Sequence, residues 1–149
     1  MNASDYLENK LVDWLFRGLS YTPPTTLYVA LATAVPTDAT TGSTLAEVSG
    51  GNYARMPIAS STLQWTDTSG NQTGLASAGT SGTTQNVNAV SWNNVTWNAT
   101  VNALALVDSA TTLTGNILVW SALQASKVVS SGDSVSLAAN TGIVIQVDN

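Results

Sequence analysis

The sequence predicts a mainly β domain that begins with one α-helix. Apolar residues recur at helical spacing between Ser4 and Gly18, which indicates an amphipathic helix. From Thr26 onward, short runs rich in Val, Ile, Thr and Trp alternate with turns that contain Gly, Asn or Asp. About eight such runs occur, which favours an antiparallel β-sandwich or barrel with the helix laid against it. The 149 residues suit one domain, residues 1–149.

The predicted helix spans residues 4–18. Asp5 is the candidate N-cap, Glu8 completes an acidic first turn, and Gly18 ends the helix. A helix this short is marginal in water by itself, so its stripe must dock on the following strand or on a neighbouring subunit. The stripe consists of Leu7, Leu11, Trp14 and Leu15, widened by Val12 and Phe16.

A fixed corner and a buried strand follow the helix. The segment Tyr21-Thr22-Pro23-Pro24 is held extended by its prolines. Residues 26–34 are apolar on both faces, as in a strand that is covered on both sides. This strand opens the predicted β domain, residues 26–149.

Two long loops interrupt the β domain, at residues 35–52 and 67–84. The first is polar and is either a surface loop or an arm that reaches a neighbouring subunit. The second is turn-rich and is the expected mobile tip. Between them, residues 53–59 predict a strand, and Pro57 places it at an edge or a bulge. In residues 60–66, apolar and polar side chains alternate only weakly.

The second half carries clearer strand patterns. A tight turn at Asn93-Asn94 is predicted between short strands, because asparagine tolerates left-handed backbone. In residues 100–107, Leu104 and Leu106 face one way, and Val101, Ala103, Ala105 and Val107 face the other. Further strands are predicted at 116–123, at 126–129, around Val135 and Leu137, and at the end of the chain, where Ile143, Ile145 and Val147 face the core.

The chain carries little charge: 9% of residues are charged and the net charge is −5. Low charge favours lasting subunit contacts. The four cations, Lys10, Arg17, Arg55 and Lys127, are dispersed, so we expect no nucleic-acid partner. Without a basic and apolar leader or a long apolar run, no membrane partner is expected.

Catalytic chemistry has few candidate residues. The chain has no histidine and no cysteine, which excludes Ser-His-Asp and Cys-His arrangements and zinc sites built on nitrogen or sulfur. Asp67, Asp108 and Asp133 each lie in an apparent turn, where aspartate bonds its own backbone. We therefore predict that the protein is not an enzyme and has no metal site or cofactor.

Tryptophans are the candidates for surface recognition. Trp14 and Trp120 lie within apolar patterns, which predicts core packing. Trp92 and Trp97 flank the asparagine turn, where core packing, a subunit contact and a glycan contact all remain open. Exposed tryptophans, Trp65 included, could form a sugar-binding platform.

Three strings carry a resemblance to a known family: SDYLENKLVDWLFRG with SYTPPTTLYVALATAVP (residues 4–36), EVSGGNYARMPI (47–58), and GNILVWSALQASKVVSSGDSVSLAANTGIVI (115–145). They resemble small proteins of tailed bacteriophages, usually labelled tail-fibre-like, some of which are capsid cement or decoration proteins. The resemblance implies a virion component without an active site, assembled in the cytoplasm of the bacterial host.

The leading interpretation is a capsid cement protein that forms a homo-oligomer, such as a trimer, and clamps the major capsid protein. The alternative is a tail-fibre or tail-tip protein that joins other tail proteins and contacts a host glycan or receptor. The absence of heptads and long repeats counts against a fibre shaft, though not against a tip or an adaptor. The candidate interface residues are Leu7, Leu11, Trp14, Tyr21, Pro23, Thr40, Leu45, Trp92 and Trp97.

Overall fold

The computed structural model describes residues 1–147 and confirms a mainly β fold with one N-terminal helix. Within these residues the chain forms nine strands, all paired antiparallel. The elements are β1 (Asn2–Ala3), α1 (Asp5–Phe16), β2 (Thr26–Ala32), β3 (Met56–Ala59), β4 (Thr83–Gln85), β5 (Val90–Trp92), β6 (Ala99–Val107), β7 (Ile117–Val129), β8 (Val135–Leu137) and β9 (Val144–Gln146).

A five-stranded sheet in the order β1-β7-β6-β2-β3 forms the body of the fold. The doubly apolar strand predicted from Thr26 is β2, and its last four residues are buried. Pro57 lies on β3, which pairs with β2 alone and so forms an edge, as its proline predicted. At the opposite edge, two-residue β1 covers only the start of β7.

The sheet buries both faces. Leu104 and Leu106 belong to the first buried cluster, and Ala103, Ala105 and Val107 belong to the second, as the alternation predicts. Val101 instead joins the first cluster, because a bulge between Val101 and Ala103 changes the register.

Two small ribbons, β4-β9 and β5-β8, contribute to the first cluster and complete a sandwich-like core. Trp92 donates its indole N–H to the Ala54 carbonyl at 2.7 Å. Trp97 packs edge-on against Tyr53, with ring centroids 5.8 Å apart. Asn94 has a φ of 47°, the left-handed backbone predicted for the asparagine turn.

The loop at residues 35–52 is not a free arm. Leu45 and Val48 are each 2% exposed, and Leu45 belongs to the cluster on the second face. The Val48 amide donates to the Leu31 carbonyl at 2.9 Å, so the loop follows the end of β2. The segment is thus a surface loop, one of the two predicted alternatives, and its few apolar residues cover a sheet face made of alanines.

A buried ion pair fastens this loop. Arg55 donates to both carboxylate oxygens of Glu47, with its closest contact at 2.8 Å, and their side chains are 0% and 2% exposed. Arg55 also donates to the carbonyls of Ser109 and Thr114, at 2.8 and 3.0 Å. Every charge in this group therefore has hydrogen-bonding partners, which a buried pair requires.

The helix is shorter than predicted, and its N-cap lies one residue earlier than expected. Ser4, not Asp5, is the N-cap, and its side chain accepts from the Leu7 amide at 3.3 Å. The same hydroxyl donates to the Ile117 carbonyl on β7. Beyond the last turn, Gly18 has a φ of 69° and Leu19 donates to the Asp13 carbonyl at 3.0 Å.

Three further predictions need correction. The strands predicted at 116–123 and 126–129 are one strand, β7, which bulges between its pairings at Ala122 and Lys127. Val147 does not face the core but is 88% exposed. Trp14 is exposed as well, since the helix leaves the sheet after its first turn. Trp120 does pack against the second cluster.

Candidate functional site

An open cleft lies where the segment after β3 meets β4 and β9. We call it the loop cleft; its volume is about 410 Å³, and Trp65, Asp67, Asn71 and Thr62 are among its lining residues. This volume falls in the range of small-molecule sites, which combine apolar walls with a few polar groups.

Two backbone contacts hold Trp65 in place. Its amide donates to the Ser61 carbonyl at 3.1 Å, and it forms an isolated bridge with Asn86. Its ring is half-buried and packs against the core cluster. The weak alternation at residues 60–66 therefore forms a turn and a bridge rather than a strand, and this arrangement fixes an aromatic ring in the cleft wall.

Asp67 organises the polar side of the loop cleft. Its carboxylate accepts from the amides of Asn71 and Ser69, both at 2.9 Å, and from the Thr73 hydroxyl at 3.3 Å. The hydrogen bond from the Asn71 amide is the largest influence on the pKa of this carboxyl and lowers it below its usual value. Desolvation opposes this effect, and the Ser69 amide and the Thr73 hydroxyl lower the pKa further. The cleft thus presents a fixed negative charge, while the Asn71 side chain is exposed beside it.

Of the other two turn aspartates, Asp133 bonds the backbone of its own turn, as predicted, whereas Asp108 bonds a residue eight positions along the chain. Asp108 accepts from the Asn116 amide and side chain at 2.6 and 2.8 Å, and Asp133 accepts from the Ser130 amide at 2.8 Å. Within residues 1–147, no group of three or more Asp, Glu, His or Cys residues could hold a metal ion.

A second candidate surface is the exposed side of α1. Exposure rises along the helix, from 38% at Leu11 to 81% at Phe16. We call this surface the helix face; it comprises Leu11, Val12, Trp14, Leu15, Phe16 and Leu19, each with more than a third of its area exposed. The sequence predicted Leu11 and Trp14 as interface residues. It also predicted that Val12, Leu15 and Phe16 dock on the following strand or on a neighbouring subunit.

An apolar groove of about 270 Å³ adjoins the first turn of the helix. We call it the helix groove; its walls include Leu7, Tyr21, Pro23, Pro24 and Leu27. The fold therefore brings five of the predicted interface residues, Leu7, Leu11, Trp14, Tyr21 and Pro23, to adjoining surfaces at one side of the molecule.

The remaining predicted interface residues lie elsewhere. Leu45, Trp92 and Trp97 are buried among other side chains of the chain, so they offer no surface to a partner, and for the two tryptophans packing is the observed outcome. Thr40 is half-buried in a turn, where its hydroxyl accepts from the Thr37 amide at 2.9 Å.

Along the part of the chain that the structure covers, residues 1–147, no helix has both the length and the apolar character needed to cross a membrane.

Comparison with known proteins gives one family. The family model described as "Podophage GP4 fiber I protein gp80" matches residues 2–144, which includes every strand except the last residues of β9. No curated protein matches the chain. The match covers nearly the whole chain and agrees with the resemblance to tail-fibre-like phage proteins, so this chain belongs to that family of phage fibre proteins.

Proposed function

We propose that this chain is a non-enzymatic domain at the tip or the attachment point of a phage tail fibre, and that its loop cleft contacts a neutral sugar on the host surface. The family description names a fibre protein, which favours the tail interpretation over the capsid cement interpretation. A shaft is disfavoured because the helix has 12 residues and the sequence shows no coiled-coil heptads or long repeats.

The observation that carries the proposal is the pairing of Trp65 with Asp67 and Asn71 in one open cleft. An aromatic ring offers an apolar surface to the C–H face of a pyranose, and amide and carboxylate oxygens accept from its hydroxyls. The fixed charge of Asp67 and the net charge of −5 disfavour acidic sugars. A neutral hexose therefore suits the site best.

The test measures binding of the purified chain to cells of a susceptible host and to polysaccharide extracted from their surface. We expect Asn71→Ala and Trp65→Ala each to weaken binding about tenfold or more. Asn93→Ala is the matched control, since Asn93 is exposed and lies outside the cleft. Because Trp65 also packs on the core, denaturant unfolding of each variant checks that the fold is intact.

A second arm mixes the chain with capsids that lack decoration and sediments them. Binding to capsids, without binding to cells or polysaccharide, would overturn the tail proposal and restore the cement interpretation. If Asn71→Ala bound polysaccharide as well as the parent chain does, the loop cleft would not be the sugar-binding site.

A further inference from the structure

The second half of β7 departs from its neighbour β6 and has a cavity beside it. Residues 123–126 lie opposite the single residue Asn102 of β6, and regular pairing resumes at Lys127, the partner of Val101. An ordinary bulge adds one residue, so this longer excursion must leave the plane of the ladder. The cavity between β6, this part of β7 and β8 has a volume of about 310 Å³, and we call it the strand cavity.

Side-chain contacts hold the excursion of β7 in place. The Ser126 hydroxyl donates to the side-chain oxygen of Asn102, and the side-chain amide of Asn102 donates to the Thr33 carbonyl at 2.5 Å. Leu123, at the start of the excursion, packs against the first buried cluster. A ligand that enters the strand cavity therefore meets walls that are already ordered, which lowers the entropic cost of binding.

The interior of the strand cavity is apolar. The buried side chains of Leu31, Val101 and Leu104, between 1% and 6% exposed, form its floor. Its walls include Leu123, Val135 and Leu137, each half-buried. For scale, an apolar cavity of about 150 Å³ stays dry and binds benzene, so the strand cavity admits an apolar body of roughly ten carbon atoms.

The rim of the strand cavity carries one cation. Lys127, Ser134 and Ser136 supply the polar groups, and all three are exposed. Within residues 1–147, no Asp or Glu lines the cavity or forms an ion pair with Lys127. The Ser134 oxygen accepts from the Asn94 amide at 3.2 Å, and its hydroxyl hydrogen can donate to a ligand. An apolar interior with donors at its mouth complements a molecule that is apolar at one end and anionic at the other.

We propose that the strand cavity binds a medium-chain fatty acid. Its carboxylate accepts from the Lys127 ammonium and the Ser134 hydroxyl, and its hydrocarbon chain lies against the leucine and valine side chains. One negative charge suits the site, because the net charge of −5 repels polyanions. A lipid surface suits it less, since attraction to anionic membranes takes a cluster of basic residues, and Lys127 is the one cation among the described residues that line the cavity.

This proposal is independent of the proposed sugar site. The strand cavity and the loop cleft share no lining residue. Failure of either site to bind its ligand would therefore leave the other proposal standing.

The first experiment is calorimetric titration of the purified chain near neutral pH and at low salt, with hexanoate, octanoate and 1-octanol as probes. We expect one octanoate to bind per chain, about tenfold more tightly than hexanoate, because two further methylene groups are buried. Lys127→Gln should weaken octanoate binding at least about fivefold and leave 1-octanol binding unchanged. Lys10→Gln is the matched control: it changes the net charge equally, and Lys10 lies on α1, over the ring of Tyr6.

Three outcomes of this titration would overturn the proposal. The first is a parent chain that does not bind octanoate. The second is an equal effect of Lys127→Gln and Lys10→Gln on octanoate binding. The third is binding to phosphatidylglycerol vesicles without binding to octanoate, which would identify a lipid surface as the ligand.

The second experiment locates the ligand, because the helix groove and the loop cleft also have apolar walls. Val135→Phe places a larger side chain in the strand cavity and should weaken octanoate and 1-octanol binding alike, about tenfold or more. Val128→Phe is its control, since Val128 is 68% exposed and lies outside the cavity lining. Denaturant unfolding checks the fold of both variants, and the Lys127→Gln comparison decides if Val135→Phe does not fold. Unchanged octanoate binding by folded Val135→Phe would place the ligand elsewhere and overturn the proposal.

Discussion

Glu47 and Arg55 show how a few side chains can hold a long loop. Their side chains are almost completely buried, and Arg55 ties together the loop at 35–52 and the turn before β7. Neither residue stands out in the sequence as a pair, because a single acid in a polar loop is ordinarily exposed. Their spacing of eight residues matches no local pattern, and only the folded sheet brings them together.

Glu47→Ala should destabilise the chain by about 3–5 kcal/mol, because it leaves the Arg55 guanidinium buried without its counter-charge. The measurement is urea unfolding near neutral pH. Asp13→Ala is the control: it breaks the exposed Arg17–Asp13 pair and should cost about 1 kcal/mol or less. Similar losses in the two variants would contradict the role assigned to the buried pair.

Because the Tyr53 hydroxyl is buried, the chain should lose stability at alkaline pH. Burial first, then the nearby Glu47 carboxylate, raises the pKa of its hydroxyl well above the usual value, and the hydroxyl donates to Glu47 at 2.8 Å. Below pH 10 both the folded and the unfolded chain hold this proton. Above pH 10 the unfolded chain releases it and the folded chain does not, so stability should fall by up to about 1.4 kcal/mol per pH unit.

Tyr53→Phe isolates this effect. The variant should be less stable near neutral pH by about 1–3 kcal/mol, because the Leu31 amide and Glu47 lose a partner. Its stability should nevertheless decline less steeply than that of the parent between pH 10 and 11. The pKa values of Tyr6 and Tyr21 are also raised by burial, but these two residues affect the pH dependence of the parent and of the variant equally. Parallel curves for parent and variant would argue against Tyr53 as the source.

At the scale of elements, the helix shows where short-range patterns succeed and where they fail. The 3.6-residue spacing of apolar side chains predicted α1 correctly, because that spacing reflects local geometry. It could not show which part of the stripe meets the chain's own sheet. Leu7 packs on the core while Phe16 does not, and that difference depends on the anchoring of Ser4 to β7, far away in sequence.

The cap itself is testable. Ser4→Ala should cost about 1–2 kcal/mol, because its buried hydroxyl both caps the helix and donates to Ile117. Asp5→Ala should cost less than about 1 kcal/mol, since Asp5 contributes mainly through its charge near the positive helix end. Both losses are measured by denaturant unfolding. A larger loss of stability for Asp5→Ala than for Ser4→Ala would indicate that Asp5 is the N-cap.

Leu11 separates the chain's own packing from contact between copies. In dilute solution Leu11→Ala should cost about 1 kcal/mol or less, because Leu11 is already partly exposed; the larger loss expected for a buried leucine should appear only where copies associate. Leu7→Ala should cost about 2 kcal/mol at any concentration. The comparison is made by thermal unfolding at two protein concentrations. A large loss for Leu11→Ala in dilute solution would show that the helix stripe is buried within one chain.

At the scale of the whole molecule, the sequence predicted the class of the fold and the edge position of β3, but not the union of two predicted strands in β7. The long polar stretch between β2 and β3 predicted a surface loop or an arm to a neighbouring subunit, but not that Leu45 would pack against the alanines of the sheet. The loop cleft was foreseen in part, through Trp65, but its polar wall depends on how Asp67 folds its own loop.

The absence of histidine makes a prediction for the whole chain. Between pH 5.5 and 7.5 the free energy of unfolding should stay constant to within about 0.5 kcal/mol, since carboxyl groups titrate near pH 4 and lysines above pH 10. The lowered pKa of Asp67 adds a contribution that is lost only at lower pH. Unfolding curves across this range check it, and a transition centred near pH 6.5 would indicate a carboxyl group with a raised pKa.

The hydrogen bond from Ser4 to Ile117 joins residues 113 positions apart, and it has a consequence for biosynthesis. At about 5–20 residues per second, a ribosome needs roughly 6–23 s after making Ser4 to reach the strand that anchors the helix. Until then α1 has been synthesised but has nowhere to dock, and contacts of such long range form slowly. The nascent chain therefore carries its most apolar exposed segment throughout translation, so on a polysome neighbouring chains can meet through α1 before either has finished folding.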